Sequence, residues 1–121
     1  MIPGDVLLML DAHAGDHCWV VLHAIDGGAK VVAVMLRTAR AFTDKTVILK
    51  AGDHPFVSVD TCIDYSSAKP FVVSGLRQRV KDRLAFPKQA MDAVVLQRIL
   101  EGLCLSSRTP NYIKDEAGCG S

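Results

Sequence analysis

Cys18-Trp19-Val20-Val21-Leu22-His23-Ala24-Ile25-Asp26-Gly27-Gly28-Ala29-Lys30-Val31-Val32-Ala33-Val34-Met35-Leu36-Arg37 is the stretch that decides the fold. Its two arms are rich in Val, Ile and Leu, the composition of strands rather than helices. Between them Asp26-Gly27-Gly28 signals a tight hairpin, because glycine accepts the positive φ angles that such turns require. Strands over Cys18–Ile25 and Ala29–Arg37 are therefore expected to pair antiparallel. Further strands are expected at Asp5–Leu10 before this hairpin and at Thr46–Leu49 and Thr61–Tyr65 after it. Ala51-Gly52-Asp53-His54-Pro55-Phe56 reads as a loop, since Gly52 and Pro55 both interrupt a strand. Five short strands are too few for an immunoglobulin-sized sandwich and suit a small, strongly bent barrel.

The pattern changes after Pro70. Leu76, Val80 and Leu84 recur at helical spacing, with Arg77, Arg79, Lys81 and Arg83 on the other faces, so a short basic helix is expected there. Phe86-Pro87 interrupts it. Met91, Val94, Val95, Ile99 and Leu103 then mark the apolar stripe of a second helix, from about Pro87 to Cys104, packed on the barrel. Residues 106–121 show no periodicity and read as a mobile tail, which leaves residues 1–105 as one mainly β domain with C-terminal helices.

The composition narrows the function classes. A chain of 121 residues with 50% hydrophobic and 22% charged residues builds one globular core, which excludes separate cofactor and substrate domains. The formal net charge of +1 advertises no polyanion partner in bulk and leaves room for a local patch. The N-terminus lacks the basic segment of a signal peptide, and no apolar run approaches the ~20 residues that span a bilayer. No membrane association is expected. Cys18, Cys62, Cys104 and Cys119 form no C-x-x-C pair, so a cytoplasmic protein with free thiols is the simplest reading, and no spacing demands a disulfide. Phosphate-loop, dinucleotide-turn, nucleophile-elbow and H-E-x-x-H motifs are all missing, which disfavours nucleotide hydrolases, Rossmann dehydrogenases, serine hydrolases and zincins.

Several pieces stand in a telling order: Gly4-Asp5-Val6, the strand from His17-Cys18-Trp19, a strand Val31–Leu36 ending in Arg37-Thr38, Val47-Ile48-Leu49, Gly52-Asp53, Thr61-Cys62-Ile63-Asp64-Tyr65, and a C-terminal helix. Over residues 4–104 this arrangement resembles the PemK/MazF family of bacterial growth-inhibitor toxins. The resemblance implies an SH3-like barrel, a homodimer, metal-independent cleavage of single-stranded RNA with no cofactor, and an antitoxin that occupies the RNA groove. It places the turn Asp11–Asp16 beside the cleft and Thr38 where the family carries a catalytic Ser or Thr. His17-Cys18 stands where the family usually has Arg-Pro. The alternative is a barrel that kept the fold and binds a protein or nucleic acid without catalysis, or one whose apolar surface meets a protein partner.

Cleaving RNA without a metal takes a base for the 2′-hydroxyl, an acid for the leaving 5′-oxygen and cations for the charge that builds on phosphorus. His17 is the acid/base candidate at a loop-to-strand junction, and its bland reading is a strand-capping histidine. Arg37 and Arg40 flank Thr38, where two guanidiniums could grip a phosphate while the hydroxyl orients it, unless they are merely solvated. Arg77, Arg79, Lys81 and Arg83 form the densest positive patch and could attract RNA phosphates or serve as the wet face of a helix. Asp53 and His54 are read as turn-forming and structural rather than catalytic. His13, His17, His23 and Cys18 could be imagined around zinc, but the spacing of His13 and His17 helps only on a helix, so no metal site is expected. Trp19 and Tyr65 could stack bases, although aromatics in apolar strands more often pack in a core or dimer interface.

Overall fold

A computed structural model describes residues 1–13 and 15–120. Ala14 of the Asp11–Asp16 turn and Ser121 at the end of the expected tail lie outside the described residues. The elements run β1 (Val6–Met9), β2 (His17–Ile25), β3 (Lys30–Thr38), β4 (Ile48–Leu49), β5 (Thr61–Val72), α1 (Val73–Lys81), β6 (Ala85–Lys88), α2 (Ala93–Leu105) and α3 (Asn111–Glu116). One antiparallel sheet of order β4-β5-β3-β2-β1-β6 curls into a half-barrel, the mainly β, SH3-like architecture expected.

The hairpin that decides the fold forms as read. β2 and β3 pair antiparallel, with Gly27 at φ 64° and Gly28 at φ 94° in the short turn between them. β3 lies inside the sheet and is buried on both faces, which is why Val31 to Leu36 forms an unbroken apolar run instead of alternating. Val32, Val34 and Leu36 face the core beneath α2, together with Cys18, Val20 and Leu22. Val31 packs on the opposite face with Leu7, Met9 and Val21, under Val73 and Leu76 of α1.

The sheet has six strands rather than five, and prolines account for both differences. β5 continues beyond Tyr65 to Val72, with Pro70 opposite Val32. β4 pairs only with Thr61 and Cys62, so Pro70 sits where β5 has no neighbour on its outer side and no ladder bond is lost. β6 contains Pro87 and pairs only with β1 at the sheet edge, where the missing amide is again harmless. Because β6 occupies Ala85–Lys88, the helix expected from about Pro87 starts instead at Ala93, after Asp92 caps it by accepting from the amides of Val94 (3.0 Å) and Val95 (3.4 Å).

The segment after Ser106, expected as a mobile tail, carries α3. Its Ile113 is 1% exposed within the core, and Cys104 is joined to Cys119 by a disulfide with Cα atoms 5.3 Å apart. The reading of free thiols therefore holds for Cys18 and Cys62 but not for this pair. Among the described residues no helix is long and apolar enough to cross a membrane.

Candidate functional site

The hairpin and its neighbours converge on a cleft at one end of the sheet. His17 begins β2 and pairs with Met9 of β1, whereas Arg37 and Thr38 end β3 opposite Cys62 and Thr61 of β5. The cleft there encloses about 580 Å³, and its lining includes His17, Arg37, Thr38 and Arg40. Pleat alternation sends Arg37 and Thr38 to opposite faces of β3, yet at the strand end both reach this opening. Phe56 and Val59 form an apolar rim, and Ser58 and Thr61 add hydroxyls. Four residues singled out in the sequence are thus neighbours in space.

Arg37 is held rather than free to swing. Its Nε donates to Asp64 Oδ2 at 2.6 Å, and Ser66 Oγ donates to the other carboxylate oxygen at 2.6 Å. Asp64 owes its position to a register shift in the β3–β5 ladder: the pairs Ala33–Lys69 and Met35–Asp64 leave extra β5 residues between them. Ser67 Oγ closes this bulge by accepting from the Met35 amide at 2.9 Å and donating to the Asp64 carbonyl at 2.6 Å. No motif in the sequence marks Asp64 as a partner of Arg37, since the contact depends on the bulge.

Arg40 lies on a closed turn. Thr43 Oγ1 accepts from the Arg40 amide and donates to the Arg40 carbonyl, both at 2.9 Å. Just beyond, Asp44 is 5% exposed and accepts from the Thr46 amide at 2.9 Å, Thr46 Oγ1 at 2.6 Å and Ser106 Oγ at 2.5 Å. Desolvation pushes the Asp44 carboxyl up, but the bonds from Ser106 and Thr46, aided by the Arg108 charge, more than offset it and leave the group below its ordinary pKa. This network ties the loop that carries Arg40 to the end of α2.

Other singled-out residues have different roles. Burial pushes the Cys18 thiol up to about 11, with the Lys88 charge opposing, so this cleft-lining sulfur is a packed thiol and no nucleophile at neutral pH. Tyr65 is fully buried, donates to the Ile99 carbonyl at 2.7 Å and is out of reach of any base. His54 is 4% exposed: Nδ1 accepts from the Phe56 amide at 3.0 Å, while Nε2 lies 2.6 Å from the Gln89 carbonyl, so the ring is the Nε2–H tautomer pinning the loop to the β6–α2 connection. Asp53 accepts from the Lys50 amide at 2.8 Å within its turn. Arg77, Arg79 and Lys81 lie on α1 and Arg83 in the turn that follows, on the sheet face opposite α2. None of the four lines the cleft. Arg79 Nη2 instead donates to the Leu10 carbonyl just past the end of β1, at 3.5 Å. Among the described residues no three His, Cys, Asp or Glu side chains gather as a metal-binding group.

No protein-family model matches the chain, and no curated protein matches it by sequence. Among solved structures it is similar to a chain from an endoribonuclease in complex with its cognate antitoxin from Mycobacterial species, at 20% identity and a TM-score of 0.59, covering 91% of this chain and 97% of that one. This chain therefore shares the fold found in that toxin–antitoxin complex, the fold that the PemK/MazF resemblance implied.

Proposed function

We propose that the protein is the toxin of a bacterial toxin–antitoxin pair, a PemK/MazF-like endoribonuclease that cuts single-stranded RNA without a metal or other cofactor. The observation that carries this reading is the convergence of His17, Arg37, Thr38 and Arg40 on one open cleft. His17 takes the proton of the 2′-hydroxyl, the 2′-oxygen attacks phosphorus, and the bond from phosphorus to the 5′-oxygen breaks. The imidazolium then returns the proton to the leaving 5′-oxygen, so the products are a 2′,3′-cyclic phosphate and a 5′-hydroxyl. Arg37 and Arg40 stabilise the charge on the nonbridging oxygens, and the Thr38 hydroxyl orients the phosphate. His17 fills the place of the family's usual arginine, exchanging a fixed cation for a group that can move a proton.

The fold likeness supports an antitoxin partner, and the apolar rim beside the cleft offers it a landing surface: Phe42 is 90% exposed, and Phe56 and Val59 are also exposed. A cytoplasmic homodimer is part of the same reading. The patch of Arg77, Arg79 and Lys81 on α1 and Arg83 in the turn after it acts at longer range, drawing the RNA backbone toward the molecule in a salt-dependent way.

The test is incubation of purified protein with a long single-stranded RNA in EDTA, beside His17→Ala and Thr38→Ala. The expected result is cleavage by the wild type and a loss of about 100-fold or more in each variant. RNA that is bound but left intact by every preparation would overturn the enzymatic reading and favour the noncatalytic barrel.

A further inference from the structure

His17 and Arg37 border two cavities. Besides the cleft shared with Thr38 and Arg40, both line a second hollow of about 460 Å³ on the other side of the same strand ends. Its wall includes Trp19, Ser66, Lys69 and Tyr112. Lys69 Nζ stands 5.4 Å from the Trp19 ring centroid and 5.2 Å from that of Phe71, and Phe71 meets the indole edge-on with centroids 5.1 Å apart. Tyr112 is 58% exposed although the helix beneath it is anchored by Ile113 in the core and by the Cys104–Cys119 bridge. Asp11 also lines the hollow, with its Oδ1 accepting from the His13 amide within the β1–β2 loop at 2.8 Å.

We infer that this second hollow is a nucleotide subsite, which seats the base and phosphate of the residue next to the one being cut. An exposed aromatic face, a lysine held over a ring, and a volume fit for a small planar ligand are the features by which proteins take up single-stranded nucleic acid without reading its sequence. Tyr112 stacks the base and Lys69 meets the phosphate. His17 and Arg37, common to both cavities, form the saddle that the chain crosses between them. The substrate class follows: an unpaired strand of at least two nucleotides, because a duplex holds its bases in the stack. The inference rests on the reading of the first cleft as the cutting site.

Trp19 is the only tryptophan, so its emission reports on this hollow. Titrating the full chain with a 2′-O-methyl RNA hexanucleotide, which cannot be cut, should change that emission saturably. Lys69→Ala and Tyr112→Ala should each weaken binding by about 5- to 100-fold, while circular dichroism confirms that these surface variants fold. Inorganic polyphosphate should bind without dependence on Tyr112. Binding of the hexanucleotide that ignores both substitutions, or no binding at all, overturns the subsite. Parallel cleavage assays in EDTA separate the two ideas. Cutting that ignores Lys69 and Tyr112 leaves the endoribonuclease standing and removes the subsite; hexanucleotide binding that depends on both, without cutting, supports the subsite and removes only the nuclease.

Discussion

The guanidinium of Arg37 is pinned to the carboxylate of Asp64, with Nε donating to Oδ2 at 2.6 Å, just past the β-bulge that separates the Ala33–Lys69 and Met35–Asp64 pairs of β3 and β5. A bond at Nε leaves the terminal nitrogens of Arg37 for another anion, so Asp64 orients the group and also sets a negative charge near any phosphate that approaches. Asp64→Asn removes the charge and loosens the orientation. RNA binding at low salt should tighten, by up to about 5-fold as expected for a partly exposed pair. The cleavage rate at saturating RNA should fall about 10-fold through misplacement of Arg37. Measuring KM and kcat separately checks both directions.

Gly102 of α2 is required by close packing. A Cβ there would lie 2.2 Å from Tyr65 Oη and 2.6 Å from Val47 Cγ2. Gly102→Ala should therefore destabilise the fold by about 1–3 kcal/mol through overpacking and disturb the bond from Tyr65 to the Ile99 carbonyl. Urea unfolding of the variant should show a lower midpoint with an unchanged slope.

The Cys104–Cys119 bridge spans 15 residues and staples α3 to α2. Replacing both cysteines with serine should cost about 3 kcal/mol, from the larger freedom of the unfolded chain. Amide exchange should accelerate over residues 106–119 before it does so in the central strands. Thermal melts of the variant and hydrogen exchange check the two statements.

His23 confers a pH dependence on stability. Burial lowers its pKa below the ordinary 6.5, with the Glu116 charge pulling the other way, and among the described residues its buried Nε2 has no hydrogen-bond partner. The folded state therefore binds fewer protons than the unfolded chain just below pH 6.5. Stability from this group is intact above that pH, declines as the pH falls through the window, and levels off below the folded pKa. The melting temperature of the wild type should fall more between pH 7.5 and pH 5.5, on either side of that ordinary value, than that of His23→Leu.

Much of the fold was legible in the chain because local signals and tertiary structure agree there. The Asp26-Gly27-Gly28 turn set the β2–β3 hairpin, and the stripe through Val95, Ile99 and Leu103 became the buried face of α2. Pro70 and Pro87 misled because proline interrupts a ladder only where a neighbour needs its amide, and edge status is a property of the whole sheet. α3 has six residues, too few for a periodic pattern, and the Cys104–Cys119 pairing depends on where that helix lands. That His17, Arg37, Thr38 and Arg40 would be neighbours was readable because the hairpin sets the start of β2 beside the end of β3, which carries Arg37 and Thr38 and leads on to Arg40. Asp64 and the hollow beyond Arg37 were not, since a bulge and a docked helix build them. The basic residues of α1 stood out by density, yet density carries no information on which face of the sheet a helix will cover.

The most direct measurement on the central idea, that His17, Arg37 and Thr38 act together on one phosphodiester, is mass spectrometry of the ends of the RNA fragments. Cleavage should leave 2′,3′-cyclic phosphate and 5′-hydroxyl ends and should cease at any nucleotide whose 2′-hydroxyl is replaced by hydrogen. Fragments with 3′-hydroxyl and 5′-phosphate ends, or cutting that persists at a deoxynucleotide, would contradict it.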